Sequence, residues 1–260
     1  MSATTATPVT TARTVVPRQY SPGAILGIWA AAALPMGAAA WLIAPALSGG
    51  HAAGTPQFAK NVIACFTAGL VWQFVLVVAL VAYEQRSLRW AVVREALWLN
   101  PPTDRKGRRG GRLWLVALAA VLGTGVAEFA PIDPHPPASR DFGALLSSDV
   151  GHTMLRGNWG LLALIVTMAL FNTVFGEELL FRGLLLPRMH GTFGRADWVV
   201  NGILFGVYHL HQPWSIPSAV TGGMVAAYAS KRTRSAWMGI LAHSAQTVLL
   251  VTLTVIVVLS

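Results

Sequence analysis

The sequence predicts an all-α polytopic membrane protein, a bundle of about seven transmembrane helices around an intramembrane polar cavity. Three observations carry that expectation. Hydrophobic residues make up 54% of the 260 residues and charged residues only 11%, about half the charged share of a soluble domain. Mean hydropathy is +0.56, and the apolar residues gather in runs near the ~20 that a bilayer crossing needs. The basic residues behind a net charge of +9 cluster in short loops between those runs, as the positive-inside rule describes.

The same features exclude other classes. No basic patch with interleaved aromatics is present, which argues against a nucleic-acid partner. A single cysteine, Cys65, lies in an apolar run, so neither an intrachain disulfide nor a cysteine-based zinc motif can form.

Residues 1–21 are rich in Thr, Ala and Pro and read as a disordered N-terminal arm. The apolar run that follows is too long for the core of a signal peptide. It gives a first span at 24–47, with Pro35 expected to kink it. A loop at 49–60 and a second span at 62–83 come next. The segment 84–112 holds Arg86, Arg89, Arg94, Arg105, Lys106, Arg108, Arg109 and Arg112. Within it Trp90, Val93, Leu97 and Trp98 recur at helical spacing, which fits either a surface-lying amphipathic helix or one packed on the bundle.

A third span covers 113–130, with Glu128 near its end as an interfacial or substrate-facing residue. The polar loop 131–156 holds only His135 and His152, too sparse for a metal site. The fourth span begins near 158 and runs to 188. The fifth and sixth, 198–211 and 216–230, are short for a crossing, and the seventh is 236–259. Trp114, Trp159, Trp198 and Trp237 stand near span ends as interfacial anchors. The chain thus divides into the arm, an N-terminal set of helices with the basic loop at 22–157, and a core at 158–260. Loops 84–112, 188–195 and 231–234 carry the arginines. They are expected in the cytoplasm, with the N-terminus, of a multi-pass plasma-membrane protein.

Glu177, Glu178 and Arg182 interrupt the fourth span. An ionisable residue at bilayer depth costs at least ~2.5 kcal/mol and marks a candidate functional site. Glu178 and Arg182 are i and i+4 and neutralise each other. Glu177 sits about 100° round the helix and needs another polar neighbour, or a proton. Helical rise puts Glu177, His209 and His243 at roughly 17, 18 and 14 Å from the arginine-rich ends of their helices. Three polar residues from separate helices thus share one depth. Asn201, Phe205 and His209 stripe one helix face, with Phe205 as wall, while His211 falls on another face as an interfacial loop residue. A carboxylate and two imidazoles activate water in two ways. Glu177, His209 and His243 hold a metal such as Zn2+, or the glutamate is the general base with a histidine at the oxyanion.

Glu177-Glu178-x-x-x-Arg182, then Phe205-x-x-x-His209, then His243 resemble the three motifs of the CPBP family. This family, also called Abi, comprises CAAX prenyl endopeptidases and bacteriocin-processing enzymes. The resemblance covers about 160–255 and implies that 158–260 is a catalytic core. It implies an intramembrane endopeptidase, a CAAX-type hydrolase or metalloprotease, cleaving a membrane-associated protein or peptide near the cytoplasmic face. Glu177 would activate water with His243 helping to hold it, and His209 would polarise the substrate carbonyl or ligate metal. Glu178 and Arg182 would brace the site. The family usually has Asn four positions after the last histidine; here that position is Thr247, with Gln246 beside it. This departure keeps a non-catalytic immunity or scaffold protein as the alternative. A transporter would explain the Glu–Arg pair but not the matching order and spacing. No Gly-x-Ser-x-Gly elbow points to serine chemistry.

Overall fold

Inside lipid a backbone must satisfy its own hydrogen bonds, and a helix does so within one segment. The computed structural model describes residues 17–49 and 55–260, and over them the chain is helical, with a single isolated bridge, Thr103 to Arg109. Helix α1 spans Pro22–Leu47. Ser21 caps it by accepting the Ala24 amide, and past Pro35 the coil widens into a π stretch at Ala39–Ile43. Helix α2, Pro56–Gln85, is capped by Thr55 and starts with proline, which needs no amide partner there. Helix α3 is Trp90–Ala96, and α4 with its leading turn is Gly111–Phe129.

Short helices α5, Phe142–Leu146, and α6, Asp149–Leu155, fold the loop expected at 131–156. Helix α7 is Trp159–Arg188, the fourth span as expected. Then come α8, His190–Phe193, α9, Asp197–Tyr208, α10, Ile216–Thr233, and α11, Trp237–Leu259.

Five of these helices, α1, α2, α4, α7 and α11, are long and apolar enough to cross a membrane. The two shortest expected spans are not of that kind. Helix α9 has 12 residues, about 18 Å at helical rise. Helix α10 has 18, but glycine, serine, threonine and a basic last turn leave it too polar. Both are sheltered instead, α9 against α1 and α10 against α4 and α11. At Gly206 a Cβ would stand 2.6 Å from the backbone nitrogen of Val220, so only glycine lets α9 and α10 meet backbone to backbone.

Three other expectations shift. Helix α2 begins at Pro56, well before 62. Helix α3 packs on the bundle, because Ala96, Leu97 and Leu99 are buried beneath an exposed Trp90. The last residues of the expected arm are docked: the Tyr20 amide donates to Arg188 O at 2.9 Å, and the Thr192 hydroxyl donates to Tyr20 O. Residues 1–16 of that arm lie outside the described residues.

The arginine-rich end is closed. Arg188 is fully buried and donates to Glu84 Oε2 at 2.8 and 3.0 Å and to the carbonyls of Ala96 and Leu184. The Ala236 amide donates to Trp98 O, Thr103 to Thr233 O, and Lys231 pairs with Asp197. Nearby, Arg108 beside Asp104 holds that half-buried carboxyl below the usual carboxylate range. Helix α2 packs on α7, and α4 on α10 and α11, so residues 22–157 and 158–260 interleave in one bundle.

Candidate active site

Helix α7 carries the acidic pair between two π-helical stretches, Phe171–Gly176 and Leu179–Leu185. Such widened turns recur at functional sites because they re-aim side chains. Glu178 Oε1 lies 3.1 Å from Arg182 Nη1, both side chains shut off from solvent. Arg182 also donates to Gly223 O on α10 at 3.1 Å, and its guanidinium lies 4.1 Å above the Phe205 ring of α9. One buried cation thus ties three helices together.

Glu178 does more than brace. Its Oε1 is also 3.3 Å from His243 Nδ1 of α11, an ion-pair separation, while His243 Nε2 is 3.4 Å from the Asn172 amide nitrogen. That places a donor on Nε2 and an acceptor beside Nδ1, so a neutral His243 carries its proton on Nδ1. Helix α11 comes this close through Gly239: a Cβ there would meet Glu178 Oε2 at 2.1 Å.

His209 follows the last turn of α9. Its Nδ1 is 2.9 Å from Phe205 O, so Nδ1–H donates inward and Nε2 is left for a ligand. His211 is buried, not interfacial: its ring stacks on His209 at 5.3 Å and meets Phe66 edge-on.

Glu177 is equally buried, and the Tyr208 hydroxyl hydrogen-bonds its carboxylate. Gln73 of α2 donates in turn to that hydroxyl. The second carboxylate oxygen of Glu177, Oε2, has no partner, and a buried acceptor left so calls for a water or a proton.

A polar cavity of about 190 Å³ has Glu178, Arg182, His209 and His243 in its wall, with Glu128 and Gln246 across from them. Glu128 therefore faces this cavity. Glu177, the neighbour of Glu178 on α7, is not among the lining residues. A second, apolar cavity of about 480 Å³ shares Asn172, His211 and Gln212 with the first. Thr247 faces the apolar cavity, while Gln246 faces the polar one and donates to Thr124 O at 3.3 Å.

Among the described residues no group of three or more His, Cys, Asp or Glu side chains is placed to hold a metal ion. Glu177, His209 and His243 share a neighbourhood without forming such a group.

Residues 158–249 match the family model of type II CAAX prenyl endopeptidases, Rce1-like. This segment is of the CPBP family. The Rce1-like stretch holds Glu177, Glu178, Arg182, His209 and His243, with Asn172 and Tyr208. Gln73 and Glu128, which complete the site's surroundings, come from helices outside it. No curated protein and no solved structure matches the chain. A segment similar to CAAX proteases among helices long and apolar enough to cross a bilayer indicates a multi-pass membrane protein. Sequence reasoning missed Gln73, Asn172 and Tyr208. The available signals were two uncharged amides, Gln73 and Asn172, inside apolar spans.

Proposed function

We propose that this protein is an intramembrane endopeptidase that hydrolyses a peptide bond of a membrane-associated protein or peptide, with Glu177 as general base. The observation that carries the reading is the difference between the two buried glutamates. Glu178 Oε1 is committed to Arg182 and His243, whereas Glu177 has no ion-pair partner and one hydrogen bond from Tyr208; Oε2 of each has no partner. A carboxylate neutralised by a guanidinium is a weak base; one that meets only a hydroxyl is a better one.

In this reading a water sits between Glu177 and His243. Glu177 takes its proton as the oxygen attacks the scissile carbonyl carbon, and the carbonyl π bond opens to an oxyanion. His209 stands beside that oxygen, its Nε2 free to donate when protonated. The tetrahedral intermediate then collapses, the C–N bond breaks, and the proton on Glu177 passes to the leaving amine. Glu178 fixes the His243 ring through Nδ1, and Arg182 holds Glu178 in place. Sheltering α9 and α10 inside the bundle brings polar side chains to bilayer depth without exposing them to lipid. We include these two helices as passes, seven in all, with the N-terminus in the cytoplasm.

The test compares peptide termini in membranes carrying the wild type and the Glu177→Gln variant at matched expression. Termini found only with the wild type establish the protease and identify its substrate. Identical termini, with both forms rescuing a deletion strain, sink catalysis and favour a scaffold or immunity role, the reading that Thr247 supports.

A further inference from the structure

We propose that the polar cavity takes a lysine or arginine side chain of the peptide, beside the bond to be cleaved, and that Glu128 binds its cation. The inference rests on the endopeptidase reading and adds the charge of the substrate. The charged side chains in the cavity wall are Glu128, Glu178 and Arg182. Arg182 is spent: it pairs with Glu178 at 3.1 Å and donates to Gly223 O. Glu128 is exposed at the end of α4 and, among the described residues, forms no ion pair and no hydrogen bond. Asp133, which holds the Ser218 amide at the start of α10, adds a second negative charge within electrostatic reach.

No cation of the chain offsets them. From Arg112 to Glu128 along α4 is roughly 24 Å at helical rise, well past the ~10 Å over which salt screens exposed charges. Arg140, the guanidinium of the neighbouring apolar cavity, is held by the Ala40 carbonyl and lies 4.1 Å over the Trp41 ring.

The uncharged wall is turned the same way. Thr124, Ser215 and Ser218 donate their hydroxyl protons to backbone carbonyls one turn back, at 2.9, 2.9 and 3.2 Å, which leaves each oxygen as an acceptor. Gln246 directs its amide to Thr124 O. Glu178 Oε2, in a side chain 1% exposed, has no partner, and a buried acceptor without a donor calls for one. Acceptors around an unbalanced carboxylate suit a group that is positive and rich in donors: an ammonium has three N–H bonds and a guanidinium five. An acidic side chain would meet Glu128 with like charge, and an apolar one would dry these acceptors without pairing them. Glu128 also lies within electrostatic reach of His243, so the cation belongs to a residue at the scissile bond or close beside it.

The charge preference of the cavity is read without turnover, on the full chain in membranes in a Cys65→Ala background. Ser215→Cys places a thiol in the wall, and Arg105→Cys marks the arginine-rich face. Two impermeant methanethiosulfonates of similar size, one ending in trimethylammonium and one in sulfonate, are applied to each side. The cationic reagent should react faster at Ser215→Cys. Glu128→Gln should lower its rate relative to the anionic one by about tenfold, the scale of one charge in a partly solvated site. Gln246→Cys repeats the reading from α11. An unchanged ratio at both positions, or no reaction at either, overturns the proposal. The substrate is read from the wild-type-specific termini, which should carry Lys or Arg within a residue or two of the cut. Glu128→Gln should lose those termini and Glu128→Asp should keep them. Termini without that bias, or indifferent to Glu128→Gln, overturn the proposal and leave the endopeptidase standing. A charge preference found with no cleavage at all refutes the endopeptidase reading alone.

Discussion

Tyr208 shows how a residue with no catalytic group of its own bears on the site. Its hydroxyl has one proton and, with the Gln73 amide donating to the oxygen, that proton goes to Glu177. A hydrogen bond to a charged group is worth about 1.5–3 kcal/mol. Tyr208→Phe should therefore slow appearance of the wild-type-specific termini by roughly tenfold to a hundredfold, while expression and bundle assembly persist. Gln73→Leu should act through the same path. The double variant should then be no slower than Tyr208→Phe, as expected for residues in one network. Independent, multiplying losses would refute a shared path. Such a network was illegible in the sequence, since Gln73 and Tyr208 are 135 positions apart and neither is charged. Glu177, Glu178, Arg182, His209 and His243 were legible because a charge or an imidazole in an apolar run costs too much to be incidental. Which glutamate faces the cavity was not: a π turn shifts the facing of the residues after it, and spacing alone assumes the regular coil.

Single helices show the same division. The fourth span was readable at both ends because Asn158 caps it and Arg188 ends it. Helices α9 and α10 were readable as too short for ordinary crossings, but apolar runs do not disclose whether lipid or protein lies beside them. Helix α7 depends on its last turn. Arg188 and Glu84 are buried together, and removing one partner of such a pair costs about 3–5 kcal/mol. Arg188→Met or Glu84→Leu alone should each lower the unfolding midpoint of the purified protein markedly. The double exchange, which leaves no orphan charge, should recover most of that loss. Equal damage in the single and double variants would show that Arg188 acts through its bonds to Ala96 O and Leu184 O rather than through Glu84.

For the whole molecule, five apolar spans and two sheltered helices raise the question of how many passes the chain makes. The contacts at the two ends of α10 bear on it. Its Ser218 amide donates to Asp133, in the loop after α4, and its Thr233 carbonyl accepts from Thr103, in the arginine-rich loop before α4. A helix touching both loops, at about 27 Å for its 18 residues, has nearly the ~30 Å of the hydrocarbon core to cover. Helix α9 runs alongside α1 in the same direction, with Trp29 and Trp41 donating to Leu204 O and Leu210 O. On the seven-pass reading both helices traverse the bilayer depth inside protein, which removes the need for an apolar surface. Five passes or seven, the number is odd, so the termini fall on opposite sides. In the Cys65→Ala background Ser260→Cys should label from the face where Arg105→Cys does not. Trp214→Cys, between α9 and α10, separates the two counts. Labelling together with Ser260→Cys makes α9 and α10 full passes, because the turn joining them then reaches the outer face. Labelling with Arg105→Cys would reverse the pair and detach the site's depth from the arginine rule that placed it.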